Sequence, residues 1–147
     1  MFTGKFDYQM DDRKRVPIPP MFRKQFESAV YQAKGTAPCI VLYTEEALMK
    51  TAEIIEAIPA ETAAGDNARR DFYSNVHPAL KDGQGRVTLR DDLIDYAGLG
   101  RDVLVVGVGT KLEIWDRVAF LTREPEQRED RIEATAELAK HRQKGEA

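Results

Sequence analysis

The chain is predicted to be mainly β with peripheral α, an α+β fold in which two related halves build one pseudo-twofold β-barrel with short helices. The segment DDRKRVPIPPMFR, Asp11 to Arg23, returns in reduced form as DGQGRVTLRDDL, Asp82 to Leu93. Asp11 and Arg15 recur as Asp82 and Arg86, Val16 as Val87, Ile18 as Leu89 and Phe22 as Leu93, every pair 71 positions apart. Short runs around both copies alternate apolar and polar residues, the period of half-buried strands, and the helical stripes between them are brief. Two such halves bury their sheet faces by closing on one another, and two copies are too few for a solenoid.

KFDYQM, residues 5–10, sets Phe6, Tyr8 and Met10 on one side of a strand, and the four charges of 11–14 break it with a turn in which Asp11 accepts backbone N–H groups. Val16 and Ile18 restart the alternation, with Pro17 restricting that strand to an edge. Pro20 suits the first turn of a helix over 20–28, whose face holds Phe22, Phe26, Ala29 and Val30. CIVLY, Cys39 to Tyr43, follows Gly35 and Pro38 and reads as a strand. Thr44 caps a helix carrying Leu48, Met49, Ala52, Ile55 and Ile58, which Pro59 ends. Residues 60–68 have no apolar stripe and read as the connection between halves.

In the second half a strand over Phe72 to Val76 leads into the turn Lys81 to Gly85, then a strand with Val87 and Leu89. Asp91 or Asp92 caps a helix with Leu93, Ile94 and Ala97, stopped by Gly98 and Gly100. Two strands lie within Val103 to Trp115 around Gly109 and Thr110, and Asp116 caps a last short helix with Val118, Phe120 and Leu121. The expected boundaries are a first repeat over 1–66, a second over 67–123, the two forming one compact unit, and a charged tail over 124–147. With seven acids, five bases and only Ile132, Ala136 and Ala139 as a thin stripe, that tail is helical or disordered, and a solvated tail is the expectation.

At 147 residues, 42% hydrophobic and 32% charged, the chain has the balance of one globular domain with a charged surface. No apolar run approaches the roughly 20 residues of a membrane span, and MFTGKFDYQ lacks the apolar core of a signal peptide, so the expected compartment is the cytoplasm. Cys39 has no partner for an intrachain disulfide and reads as a small buried apolar residue. The net charge of −3 argues mildly against nucleic acid, yet within residues 1–25 Lys5, Arg13, Lys14, Arg15, Arg23 and Lys24 outnumber Asp7, Asp11 and Asp12. A basic patch on an acidic protein steers a polyanion to one face.

Arg13, Lys14 and Arg15 at a turn tip between strands have the chemistry to enter a major groove, with Lys5, Arg23 and Lys24 holding phosphates. The competing reading is a solvated charge run in which Arg15 pairs with Asp11 to fix the turn. Asp11 and Asp82 are assigned to turn structure, since a carboxylate aimed at phosphate repels it. Arg86, in an otherwise neutral turn beside Lys81, is read first as structural and second as a DNA contact. No catalytic residue, metal or cofactor is expected. His77, Asp82, Asp91, Asp92 and Asp95 match no ligand frame, and there is no phosphate-cradling glycine loop or GxSxG turn.

The start MF with Gly4, Asp11, Arg15, Pro19 and Arg23, joined to DGQGR, YAGL, DVLVVG and EIWD, resembles the MraZ family of bacterial cell-division transcription regulators, over about residues 1 to 121. The resemblance implies a double AbrB-like swapped-hairpin, double-psi-like barrel. It also implies a nucleoid-associated, ring-shaped homo-oligomer that binds short direct repeats of double-stranded DNA upstream of its own division and cell-wall operon, as a repressor. The chain departs from the family pattern at Lys14, where Gly usually precedes the Arg, and at Arg90, where Pro is frequent. The alternative function is a ring-forming protein-interaction module with no specific DNA binding.

Overall fold

The computed structural model describes residues 1–146, the side chain of Glu146 excepted. Residues 1–117 form one compact unit and residues 118–146 lie in a second.

The first unit contains a six-stranded antiparallel sheet and a two-stranded ribbon. In chain order the strands are β1 Lys5–Gln9, β2 Arg15–Pro17, β3 Tyr31–Lys34, β4 Ile40–Tyr43, β5 Val76–Pro78, β6 Arg86–Thr88, β7 Asp102–Gly107 and β8 Leu112–Asp116. The large sheet runs β1-β7-β8-β4-β3-β5, and β2 pairs with β6. Exchanging β1 with β5, β7 with β3 and β8 with β4 reproduces that order read from the other end. Strands from opposite halves therefore interleave: Lys5 to Gln9 pair with Val106 to Asp102, and Tyr31 to Ala33 with Pro78 to Val76. The ribbon has the same symmetry about the Val16–Val87 pair.

The fold is α+β, as expected, but the sheet does not close. β1 and β5 remain its outer strands, with no ladder joining them among the described residues. The ribbon and the short helices supply the rest of the core. Val16, Ile18, Val87 and Leu89 from the ribbon side join Phe22, Phe26 and Leu93 and the sheet residues Ile40, Val103, Val105, Leu112 and Ile114 in one buried cluster. Phe2 and Phe6 pack edge-on to Phe22, with ring centroids 5.0 Å and 5.7 Å away. Pro17 is tolerated because β2 has a ladder on one side only.

The helices differ more from expectation. Residues expected as a helix over 20–28 form a 3-10 helix, Pro20–Phe26, short enough to bury both Phe22 and Phe26. Helix α1, Glu45–Glu56, begins as predicted, with Thr44 Oγ1 accepting from Ala47 N at 3.1 Å. Helix α2, Ala63–Ser74, occupies the stretch expected to be a connection, and Phe72 and Tyr73 fall in its last turn rather than in a strand. Polar contacts hold it: Thr62 Oγ1 accepts from Gly65 N at 3.0 Å, and Arg69 Nη2 donates to Ile58 O at 2.5 Å.

Helix α3, Asp91–Ala97, ends on Gly98 at φ 61, where glycine is favoured. Its N-cap is Arg90, and neither Asp91 nor Asp92 occupies the cap position. Asp116 ends β8, where its carboxylate accepts from Gly100 N at 3.2 Å.

From Arg117 the chain continues as helix α4, Arg117–Glu146, a single 30-residue helix that takes in the expected short helix and the charged tail, whose described side chains are nearly all exposed. Its Glu, Arg, Lys, Ala and Gln content favours helix, and Pro125 is accommodated within it. No helix of the described residues is long and apolar enough to cross a membrane.

Candidate nucleic-acid interface

Both turns that precede the ribbon strands are built by one aspartate. Asp11 Oδ1 accepts from the backbone N of Arg13 and of Arg15, each at 2.9 Å, and Oδ2 accepts from Arg15 Nε at 2.7 Å. Asp82 repeats the set with Gln84 N, Arg86 N and Arg86 Nε at 2.9, 2.9 and 2.7 Å. The tips also hold one another. Ile18 N donates to Gly85 O and Leu89 N to Lys14 O, both at 2.9 Å. Arg15 Nη1 then reaches Asp82 Oδ2 at 3.4 Å, a link between turns with no counterpart from Arg86 among the described residues.

The backbone turn requires a left-handed residue just before each arginine. The second turn places Gly85 there at φ 77, and the first places Lys14 at φ 60. For a side chain with Cβ that conformation costs about 1 kcal/mol. The first turn carries this strain in exchange for a cation at its tip.

The backbone N–H of Arg15 chiefly holds the Asp11 carboxyl below its ordinary pKa, against a smaller opposing effect of burial, and the backbone N–H of Arg86 does the same for Asp82. A carboxyl depressed in the folded state contributes stability that is present above its ordinary pKa and is lost as pH falls through the lower folded value. Denaturation midpoints should therefore hold steady down to about pH 4 and fall below it, with a shallower acid limb in Asp82→Asn. An unchanged acid limb in that variant would remove Asp82 from this role.

The expected site residues separate into groups. Arg13 is exposed at the first tip, and its guanidinium makes no bond among the described residues. Lys14 Nζ contacts Asp91 in an exposed ion pair. Arg15 is about one-fifth exposed, with Nε and Nη1 held by carboxylates and Nη2 without a partner among the described residues. Arg23 lies at the second turn: its Nε donates to Ile18 O at 3.2 Å, and a Cβ on Gly85 would come within 2.5 Å of that nitrogen. Lys24 follows it, exposed, on the 3-10 helix. Arg86 is tied to Asp82. Lys5 is not brought to either tip, since it begins β1 and the first turn follows its far end, four rises of about 3.3 Å away. Lys81 Nζ closes the end of the 3-10 helix on Phe26 O at 2.8 Å.

Composition gave no weight to Arg90. It lines a shallow concavity of about 410 Å3 with Arg13, Lys14, Leu80 and Thr88. The signal was positional, since Arg90 stands 71 residues after Pro19 and breaks the repeat there. Its Nε donates to Asp92 Oδ1 at 3.0 Å, which holds the Asp92 carboxyl below its usual range. Among the described residues no three His, Cys, Asp or Glu gather where they could hold a metal ion.

The second half and the following helix, residues 76–142, match the family model described as MraZ protein. A protein of Salinispora arenicola named Transcriptional regulator MraZ is 36% identical over 120 residues, covering 82% of this chain and 84% of that one. The protein of the same name from Thermobifida fusca is 30% identical over 138 residues, 94% and 96% of the two chains. That from Syntrophomonas wolfei is 34% identical over 115 residues, 78% and 80%.

Proposed function

Because the chain belongs to the MraZ family, we propose that it is a DNA-binding transcriptional regulator that reads short direct repeats through the first turn. The carrying observation is the asymmetry of two otherwise matching turns. The tip of one presents Arg13, exposed and with its guanidinium unpartnered among the described residues, beside Lys14, and the tip of the other presents Gly83 and Gln84. A guanidinium on a turn fixed by three hydrogen bonds to the Asp11 carboxylate is a forked donor on a rigid support, which is what guanine O6 and N7 accept. Lys14 and the unshared Nη2 of Arg15 extend this cation edge. Arg23 and Arg86 at the second turn, with the exposed Lys24 on the 3-10 helix, hold phosphate further along the duplex, and Lys5 is the outlying member of the set.

One tip buries little surface, so a single contact is weak. A ring-shaped homo-oligomer offering one tip per subunit to tandem sites raises the effective concentration of every contact after the first. In this reading 1–66 and 67–123 are copies of one unit, the first copy carries the base-reading tip while the second supports it and adds phosphate contacts, and 124–147 lies outside the reader. The protein acts at the nucleoid, as a repressor of the operon in which it is encoded.

The test is binding of the full chain to the duplex just upstream of its own reading frame, beside a shuffled duplex, as salt rises. Preference for the native sequence with a steep salt dependence is expected. Equal affinity for both duplexes would overturn sequence reading, and no binding to either would favour a protein-interaction ring.

A further inference from the structure

We propose that Arg90 is a phosphate-binding residue of the DNA interface and shares one backbone phosphate with Lys14, so that the two halves of the chain together complete the reader. This rests on the first turn being the DNA-contacting element. The hydrogen bond from Leu89 N to Lys14 O fixes the residue before Arg90 against the tip itself. Arg90 is held in place from beneath: its backbone N donates to Gln32 Oε1 at 3.0 Å, and Gln32 Nε2 donates to Thr88 O at 3.2 Å. Gln32 is only 2% exposed, so the segment 88–90 is anchored to the interior and the Arg90 side chain rises from a rigid base.

The symmetry between halves makes the placement informative. At the second turn the matching hydrogen bond, Ile18 N to Gly85 O, is followed by Pro19, and the matching tip residue is Gly85. At the first turn both positions are cationic, one supplied by each half, and both side chains line the same concavity as Arg13. Without a ligand each cation rests on a neighbouring carboxylate, Lys14 on Asp91 and Arg90 on Asp92. These pairs are exposed, and exposed pairs contribute little, so a phosphate displaces the carboxylates readily. Arg90 Nη1 has no partner among the described residues, which leaves one donor of the guanidinium for an anion. Asp91 and Asp92 thereby act as competitors that weaken binding to any duplex lacking further contacts.

The full chain carrying Arg90→Ala, Arg90→Lys or Asp92→Asn should be titrated with the native and the shuffled duplex over a range of salt, with Arg13→Ala as reference. Arg90→Ala should weaken both duplexes severalfold and by the same factor. It should also reduce the slope of log affinity against log salt by about 0.9 for each engaged subunit. Arg90→Lys should restore most of the slope, and Asp92→Asn should tighten both duplexes. A role confined to the start of α3 would lower the melting temperature and leave the slope alone, and that result overturns the inference. So does a loss confined to one base position. If Arg13→Ala changes binding and Arg90→Ala does not, Arg90 is excluded and the DNA reading stands. If neither changes it, the first turn is not the DNA-contacting element, and the inference falls with that placement.

Discussion

Arg13→Ala is expected to lower affinity for the native duplex by about 10- to 100-fold for each tip that engages, the value of one forked guanine contact. Affinity for shuffled DNA should fall much less, through loss of one charge. Folding should be untouched, because the Arg13 side chain bonds nothing among the described residues and only its backbone N, retained in alanine, holds Asp11. Arg13→Lys separates fork from charge: it should keep the salt dependence and recover little sequence preference. Fluorescence anisotropy on both duplexes, with a thermal melt of each variant, provides the check. Full retention of sequence preference in Arg13→Ala would move the reader elsewhere. Arg15→Ala is a less direct test, since Arg15 joins Asp11 to Asp82 and its removal disturbs both turns.

Phe26→Ala should give the largest loss of stability, about 3–5 kcal/mol. The ring is completely buried, lies 5.4 Å from that of Phe2, and ends the 3-10 helix that carries Arg23 and Lys24. A fold of this size is stable by only about 5–15 kcal/mol, so the variant stays mostly folded in the cold but with a small margin. Urea unfolding should show a lower midpoint with an unchanged slope. A shift below about 1 kcal/mol would mean that Phe2 and the neighbouring strands collapse into the space.

Much of this architecture was legible because it is written twice. Asp11 with Arg15 and Asp82 with Arg86 mark both turns at sequence level, and their matching hydrogen bonds follow from residue type and spacing. β3 was not legible. Its YQAK sequence lacks an apolar alternation, and Gln32 is buried because it bonds Thr88 and Arg90, residues more than 50 positions away. Helix α2 was hidden for a related reason, since Thr62 and Arg69, rather than an apolar face, hold it. The bases of the first tip could be read from local charge. Their grouping could not, because pairing between the halves takes Arg23 to the second turn and brings Arg90 to the first. The unclosed sheet was equally beyond alternation alone, which sets the inward face of a strand but not its neighbour.

The interleaved strand order also governs when the protein can acquire its shape during synthesis. Among the described residues β1 pairs with β7, and Phe2 meets Gly109, about a hundred residues later. At about 5–20 residues per second the nascent amino terminus waits some 5–20 seconds on the ribosome with its pairing edge open. Pairing across so long a separation is intrinsically slow. The exposed, unpaired strands of one nascent chain are then available to those of another translated from the same message, so the order of strands that completes a single subunit also makes its birth the moment of greatest vulnerability to mispairing.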